Sequence, residues 1–234
     1  MKLPVATLSV LAVLAGCNAT SPHHPSGPMA SGRDRTFSVP VYGTDTSPAY
    51  AAATRECQRL ALFPKLLRND GSRLIFECVS EAPDRHMVVL GDPRYPAALL
   101  ETPDPPLVLF VQGRIDSLAR PQALAVVGSR NPTPQGETNA RQFAQALGEA
   151  GVCVVSGLAL GVDGAAHDGA LLGGSSTIAV VGTGLDRVYP KRHLSLAHRI
   201  AAQGAIVSEY PLGTPPLPEN FPRRNRLIAG LSQG

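Results

Sequence analysis

Apolar residues along this chain follow three different spacings, and each predicts a different kind of structure. Apolar residues dominate positions 3–14, short alternating runs occupy positions 33–85, and from Met87 onward short continuous runs alternate with stretches of helical spacing. In the middle region residues 36–41 alternate as a strand, residues 48–62 have helical spacing, and residues 73–79 read as a strand after the turn Asn69-Asp70-Gly71. Residues 33–86 are therefore expected to form a small α+β unit. Beyond it, residues 87–90 and 107–111 are short buried-strand candidates that lead into a longer series. Residues 123–127 form an apolar run that suits a strand buried on both faces. They are followed by a helix over 137–149, with Ala140, Phe143, Ala144 and Leu147 on one side. A strand at 152–156, a helix at 162–172, a strand at 177–181, a helix at 194–203 and a strand at 205–208 complete the series. Strand and helix in regular alternation predict an α/β fold with a doubly wound, mostly parallel sheet over residues 87–234.

Composition narrows the possibilities. A chain of 234 residues with 44% apolar content can bury a sizeable core, as one large domain or a domain with an appendage. The formal charge of +3 is too small to mark a nucleic-acid binder by excess, so any basic site has to come from clustering. Aromatic residues make up only 5% and tryptophan is absent, which argues against a surface that holds single strands mainly by stacking. The first 17 residues read as a lipoprotein-type signal: Lys2, the apolar segment, then the lipobox Leu14-Ala15-Gly16-Cys17. Cys17 would carry lipid, and residues 18–32 would be a disordered tether. Cys57 and Cys78 would pair in an exported protein and remain free thiols in the cytosol. Cys153, inside a strand, reads as a small core residue.

Three consecutive strands end in turns rich in small residues: Gly128-Ser129, Ser156-Gly157 running on to Gly161, and Gly182-Thr183-Gly184. In a parallel sheet such turns share one edge, and their N–H groups suit a phosphate. None matches the dinucleotide fingerprint or the P-loop. Cations stand nearby: Arg130 after the first turn, Arg187, Lys191, Arg192 and Arg199 after the third, and Arg223, Arg224 and Arg226 near the end. From Met87 onward twelve Lys and Arg face eleven Asp and Glu, so these clusters are local, and cations from three separated segments fit an extended polyanion better than one mononucleotide. Asp163 and His167 are four apart on one helical face and are expected to orient the turn. No cofactor and no metal is expected.

Five stretches between residues 96 and 232 carry a family resemblance. They are Val126-Val127-Gly128-Ser129-Arg130; Ser156-Gly157-Leu158-Ala159-Leu160-Gly161-Val162-Asp163-Gly164-Ala165-Ala166-His167; Gly182-Thr183-Gly184-Leu185-Asp186-Arg187-Val188-Tyr189-Pro190; Ser208-Glu209-Tyr210-Pro211; and Asn220-Phe221-Pro222-Arg223-Arg224-Asn225-Arg226-Leu227-Ile228-Ala229-Gly230-Leu231-Ser232. In this order they resemble DNA-processing protein A, the DprA/Smf family. The resemblance implies a Rossmann-like domain that binds single-stranded DNA without sequence preference, protects incoming DNA in natural transformation, helps load RecA and acts as a homodimer, without catalysis. It implies Arg130 and Lys191 as phosphate contacts, Gly128 and Ser129 as donors, and Arg224 and Arg226 as neighbours in the same groove. Gly157, Gly161, Asp163, His167, Gly182 and Gly184 belong to its supporting motifs.

The family continues beyond the last of these motifs through strands and helices that complete its sheet and carry its dimer and recombinase surfaces, so an unpaired sheet edge and marginal stability are expected here. The resemblance also implies a cytoplasmic protein, which would meet a membrane only through a lipidated Cys17. Read literally, the lipobox gives a membrane-anchored envelope lipoprotein carrying a non-functional DNA-processing fragment. A third reading, a nucleotide phosphoribohydrolase, lacks its P-G-G-x-G-T signature and the glutamate that follows.

Overall fold

The structure is a computed structural model that describes residues 31–33, 35–60, 62–80, 84–120 and 122–234, so the lipobox with Cys17 and the expected tether lie outside the described residues. Two sheets share the chain. The first contains β1 (Ser31–Arg33), β2 (Thr36–Pro40), α1 (Ser47–Gln58), β3 (Phe63–Asn69) and β4 (Arg73–Val79), antiparallel in the order β1-β2-β4-β3. Alternation along β2 and β4 turns Phe37, Val39, Leu74, Phe76 and Cys78 inward, onto Ala49, Ala52, Ala53 and Cys57 of α1. Cys57 and Cys78 are joined in a disulfide within this core. The helix expected to reach residue 62 ends at Gln58, and β3 follows. Its pattern was hidden because Phe63 and Pro64 are both buried and the register shifts between Leu66 and Arg68, which breaks the period of two.

The second sheet starts with β5 (Arg85–Val89), β6 (Val108–Gly113) and β7 (Ala123–Ala125), followed by α2 (Pro134–Glu149) and β8 (Cys153–Ser156). Next come α3 (Val162–Leu172), β9 (Thr177–Val180), α4 (Leu194–Gln203), β10 (Ala205–Ser208) and α5 (Asn220–Gly230). The order is β5-β6-β10-β9-β8-β7, with β7 to β10 mutually parallel and β5 and β6 antiparallel beside them. This is the mixed, mostly parallel α/β sheet that the alternation of runs predicts. The parallel strands step in one direction across the sheet, so right-handed crossovers place α2, α3 and α4 on one face. Leu227, Ile228 and Leu231 at the C-terminal end of the chain cover the other, against Val155, Val180 and Val207. Helices thus shield both faces, and the strands are apolar on both sides.

β7 departs from expectation. It is an edge strand of three residues rather than a strand buried on both faces, and Val127 is 58% exposed. Val126 still donates to the Val155 carbonyl at 3.0 Å, but its own carbonyl accepts from the Ser156 hydroxyl at 2.6 Å in place of a backbone N–H, and the ladder ends there. On the far side of β7, Gln233 donates to Ala123 O at 2.8 Å and Ala125 donates to Gly234 O at 2.7 Å.

The two sheets are packed together. Phe63 shares a core cluster with Phe110, Leu158 and Leu212, Leu66 N donates to Leu212 O at 2.6 Å, and Arg223 of α5 reaches Ser47 Oγ of α1 at 2.7 Å. Among the described residues no helix is long and apolar enough to cross a membrane.

Candidate nucleic-acid interface

The parallel strands deliver their turns to one sheet edge, and two of these turns are fastened to each other. Ser156 Oγ donates to Val126 O at 2.6 Å, and Val162 N donates to Ser129 O at 3.1 Å. This second bond needs a glycine beside it. Gly161 has φ of +76°, and a Cβ there would stand 2.4 Å from Ser129 O. After the first turn, Thr133 Oγ1 accepts from Gly136 N at 3.1 Å and caps α2, with Pro134 in its first turn. Within the second, buried Asp163 accepts from Gly157 N at 3.1 Å and Ala159 N at 3.4 Å. Leu158 between them adopts φ of +58°, a left-handed backbone that a branched side chain holds only under constraint. Its burial and the Asp163 carboxylate supply that constraint.

Arg130 is exposed, with its guanidinium carbon 5.6 Å above the Phe221 ring of α5, and Phe221 in turn lies 5.5 Å from the Tyr189 ring. One helical turn along α5, Arg224 is 4% exposed and donates through Nη1 to the carbonyls of Gly157 and Val180. Burial pulls its pKa down and the Asp163 carboxylate opposes this, while Arg130 adds like-charge pressure. An arginine keeps its charge through such shifts. A cleft of about 350 Å³ opens between Val127, Gly128, Arg130, Asp163, Arg224 and Asn225. A smaller cavity of about 60 Å³ lies beside it, between Gly157, Leu160, Tyr189, Pro190 and Phe221, and shares Arg130 and Arg224 with the cleft. Lys191 follows Pro190 directly and is exposed.

Several cations away from this edge are held in ion pairs. Arg141 and Arg199 share Asp168, Arg94 binds Asp92, Arg223 binds Asp45, and Arg226 binds Glu209. Among the described residues Arg130, Arg187, Lys191 and Arg192 form no ion pair. They are exposed at or just beyond the glycine-turn edge, and their uncompensated charge faces solvent.

Several expected members sit elsewhere. Arg226 is not in the groove with Arg130. Two residues along a helix turn the side chain through about 200°, which sends Arg226 away from Arg224 to Glu209 at 2.6 Å and Asp104 at 3.5 Å. Arg224 lines the cleft as a buried pin that holds two carbonyls, so it is not a freely exposed contact. Gly182 and Gly184 do not border the cleft. Asn220 Nδ2 donates to Gly182 O at 2.9 Å, and Gly184 is packed against the Pro211 carbonyl, where a Cβ would stand at 2.5 Å. His167 is fully buried and uncharged. Thr177 gives its hydroxyl proton to Val154 O at 2.6 Å, so it accepts from His167 Nδ1–H at 2.8 Å, and burial pushes the imidazole pKa down to about 3. Phe221 escaped the sequence reading as a site residue because residues 220–230 showed only a charge cluster, and Tyr189 because its stretch showed only a glycine turn followed by cations. Leu227, Ile228 and Leu231 gave the one signal that this cluster rides on a core helix.

A family model described as DNA recombination-mediator protein A matches residues 86–234, the region that forms this edge. The chain belongs to that family. Among its relatives, Protein Smf of Escherichia coli (strain K12) is 46% identical over 181 residues, covering 77% of this chain and 47% of the relative. The chain thus spans less than half the length of that family member, and 36% of Protein Smf of Synechocystis, to which it is 48% identical over 145 residues. A solved structure of DNA processing protein A from Streptococcus pneumoniae shares 43% identity with a TM-score of 0.60, over 64% of this chain and 52% of that one. A family structure from Helicobacter pylori, described for its unique single-stranded DNA binding mode, shares 34% identity with a TM-score of 0.58, over 63% of this chain and 66% of that one.

Proposed function

We propose that this chain binds single-stranded DNA without sequence preference and serves, without catalysis of its own, in the processing of DNA during natural transformation. The observation that carries the reading is the gathering of exposed cations at the glycine-turn edge: Arg130, Arg187, Lys191 and Arg192 lie at or just beyond the turns, and among the described residues none of them forms an ion pair. Such an edge matches the spaced phosphates of a polynucleotide, and the Helicobacter pylori relative described for single-stranded DNA binding supports the same assignment. In this proposal Arg130 and Lys191 contact phosphates, Gly128 and Ser129 offer donors at the open turn, and Arg224 fixes the floor. Hand-over to a RecA recombinase and pairing of two copies belong to the same proposal.

Fluorescence anisotropy of a labelled oligo-dT across a salt series tests it. Affinity should fall steeply with salt, and Arg130→Ala and Lys191→Ala should each reduce the slope of log affinity against log salt by roughly one. Affinity indifferent to salt, or unchanged in the double variant, overturns the assignment. The proposed place of action is the cytoplasm. Metabolic fatty-acid labelling, compared with Cys17→Ser, should then find no lipid on the chain, whereas label lost only in the variant would place it at a membrane.

A further inference from the structure

We infer that His193 is a positioning residue for nucleic-acid binding: its imidazole pins the turn that carries Lys191 to the second glycine turn, and so sets the distance between Lys191 and Arg130. The inference rests on the reading of both cations as phosphate contacts. Lys191, Arg192 and His193 form a single tight helical turn ahead of α4, closed by a bond from His193 N to Pro190 O at 3.0 Å. Lys191 and Arg192 are exposed, whereas His193 is half-buried. Its Nδ1 lies 3.0 Å from Leu158 O, and a carbonyl can only accept, so Nδ1 carries the proton and donates. Among the described residues no other hydrogen bond joins residues 191–193 to either of the other glycine turns.

Leu158 suits this task because its own turn is fastened. Asp163 holds the N–H groups on either side of it, Arg224 donates to Gly157 O at 2.6 Å, and Gly164 N donates to Ala159 O at 3.1 Å. The first turn is tied to the same frame by the bond from Val162 N to Ser129 O, next to Arg130. Both cation-bearing segments are thus held against one support, and the phosphates of a flexible strand would meet two charges at a fixed spacing. Preorganisation of that kind lowers the ordering cost of binding. A glycine admits the ring: a Cβ added at Gly164, in the first turn of α3, would stand 2.6 Å from His193 Cε1 and 2.8 Å from Nε2.

Fluorescence anisotropy with labelled oligo-dT on the full chain, with a thermal melt of every variant, tests the assignment. His193→Ala should weaken binding by about three- to ten-fold and, in the Lys191→Ala background, should have no further effect. His193→Asn should bind as the parent does, because its amide nitrogen occupies the place of Nδ1. Gly164→Ala crowds the ring out of its seat while supplying a better helix former, so it should weaken binding as His193→Ala does without lowering the melting temperature. An equal loss from His193→Ala with and without Lys191, failure of His193→Asn to restore binding, or parental binding by Gly164→Ala each overturns the positioning role. If His193→Ala has no effect while Lys191→Ala weakens binding, the role falls and the phosphate assignment stands. If Lys191→Ala leaves affinity unchanged, both fall.

Discussion

At the scale of single residues, the groove depends on side chains that are almost wholly buried. Asp163 holds the second turn by two backbone N–H groups, Arg224 ties that turn to β9, and His167 braces α3 against β9 through Thr177. The last has a measurable signature. His167 titrates near 3 in the folded protein because burial opposes its charge, against about 6.5 in an unfolded chain. Between those values the unfolded state binds the extra proton, so stability should fall as pH is lowered from about 6.5 towards 3. Urea melts over that range should show the fall, and His167→Gln, neutral throughout, should reduce its slope. An unchanged slope would mean that the imidazole does not titrate as its burial requires. Arg130 and the glycines beside it were legible from sequence because the turn, the cation and the strand are contiguous. The burial of Arg224 was not, since it depends on which face of a distant helix meets the turn.

Among elements, the contrast is between those that advertise themselves and those that do not. The βα alternation from β7 to β10 is visible because each strand is a short apolar run and each helix repeats at its own period. β3 was hidden by its bulge and α5 by its arginines, yet α5 supplies Phe221 and Arg224 to the groove and Arg223 to the neighbouring unit. The disulfide belongs to this scale as well. It links α1 to β4 across 21 residues, and closing a loop of that size should stabilise the small unit by about 3 kcal/mol. Guanidinium melts should therefore show wild-type protein weakened by reductant, and the doubly substituted Cys57→Ser, Cys78→Ser protein indifferent to it. The groove residues do not touch the pair, so oligo-dT affinity should be the same with and without reductant. A reducing cytoplasm would hold both thiols free, and the comparison measures how far the small unit tolerates that state.

The molecule as a whole is more unified than its sequence suggests. The spacing of apolar runs changes near Met87, but Phe63 completes a core whose other fully buried members all come from beyond that point. Leu66 and Leu212 exchange a backbone bond across that boundary, and Gly213 beside it donates to Asp186, next to the third glycine turn. Long-range contacts of this kind leave no periodic trace, which is why the pattern of runs revealed each sheet and not the seam between them.

The short edge strand β7 carries a last consequence. Among its outward backbone groups, the carbonyl of Ala123 and the amide of Ala125 are places where a visiting chain would begin a ladder. Gln233 and Gly234 already occupy both. The strand that feeds Gly128 and Arg130 into the groove is thus guarded at these two positions by its own chain, and two neighbouring copies would have to break both bonds before their sheets could merge there.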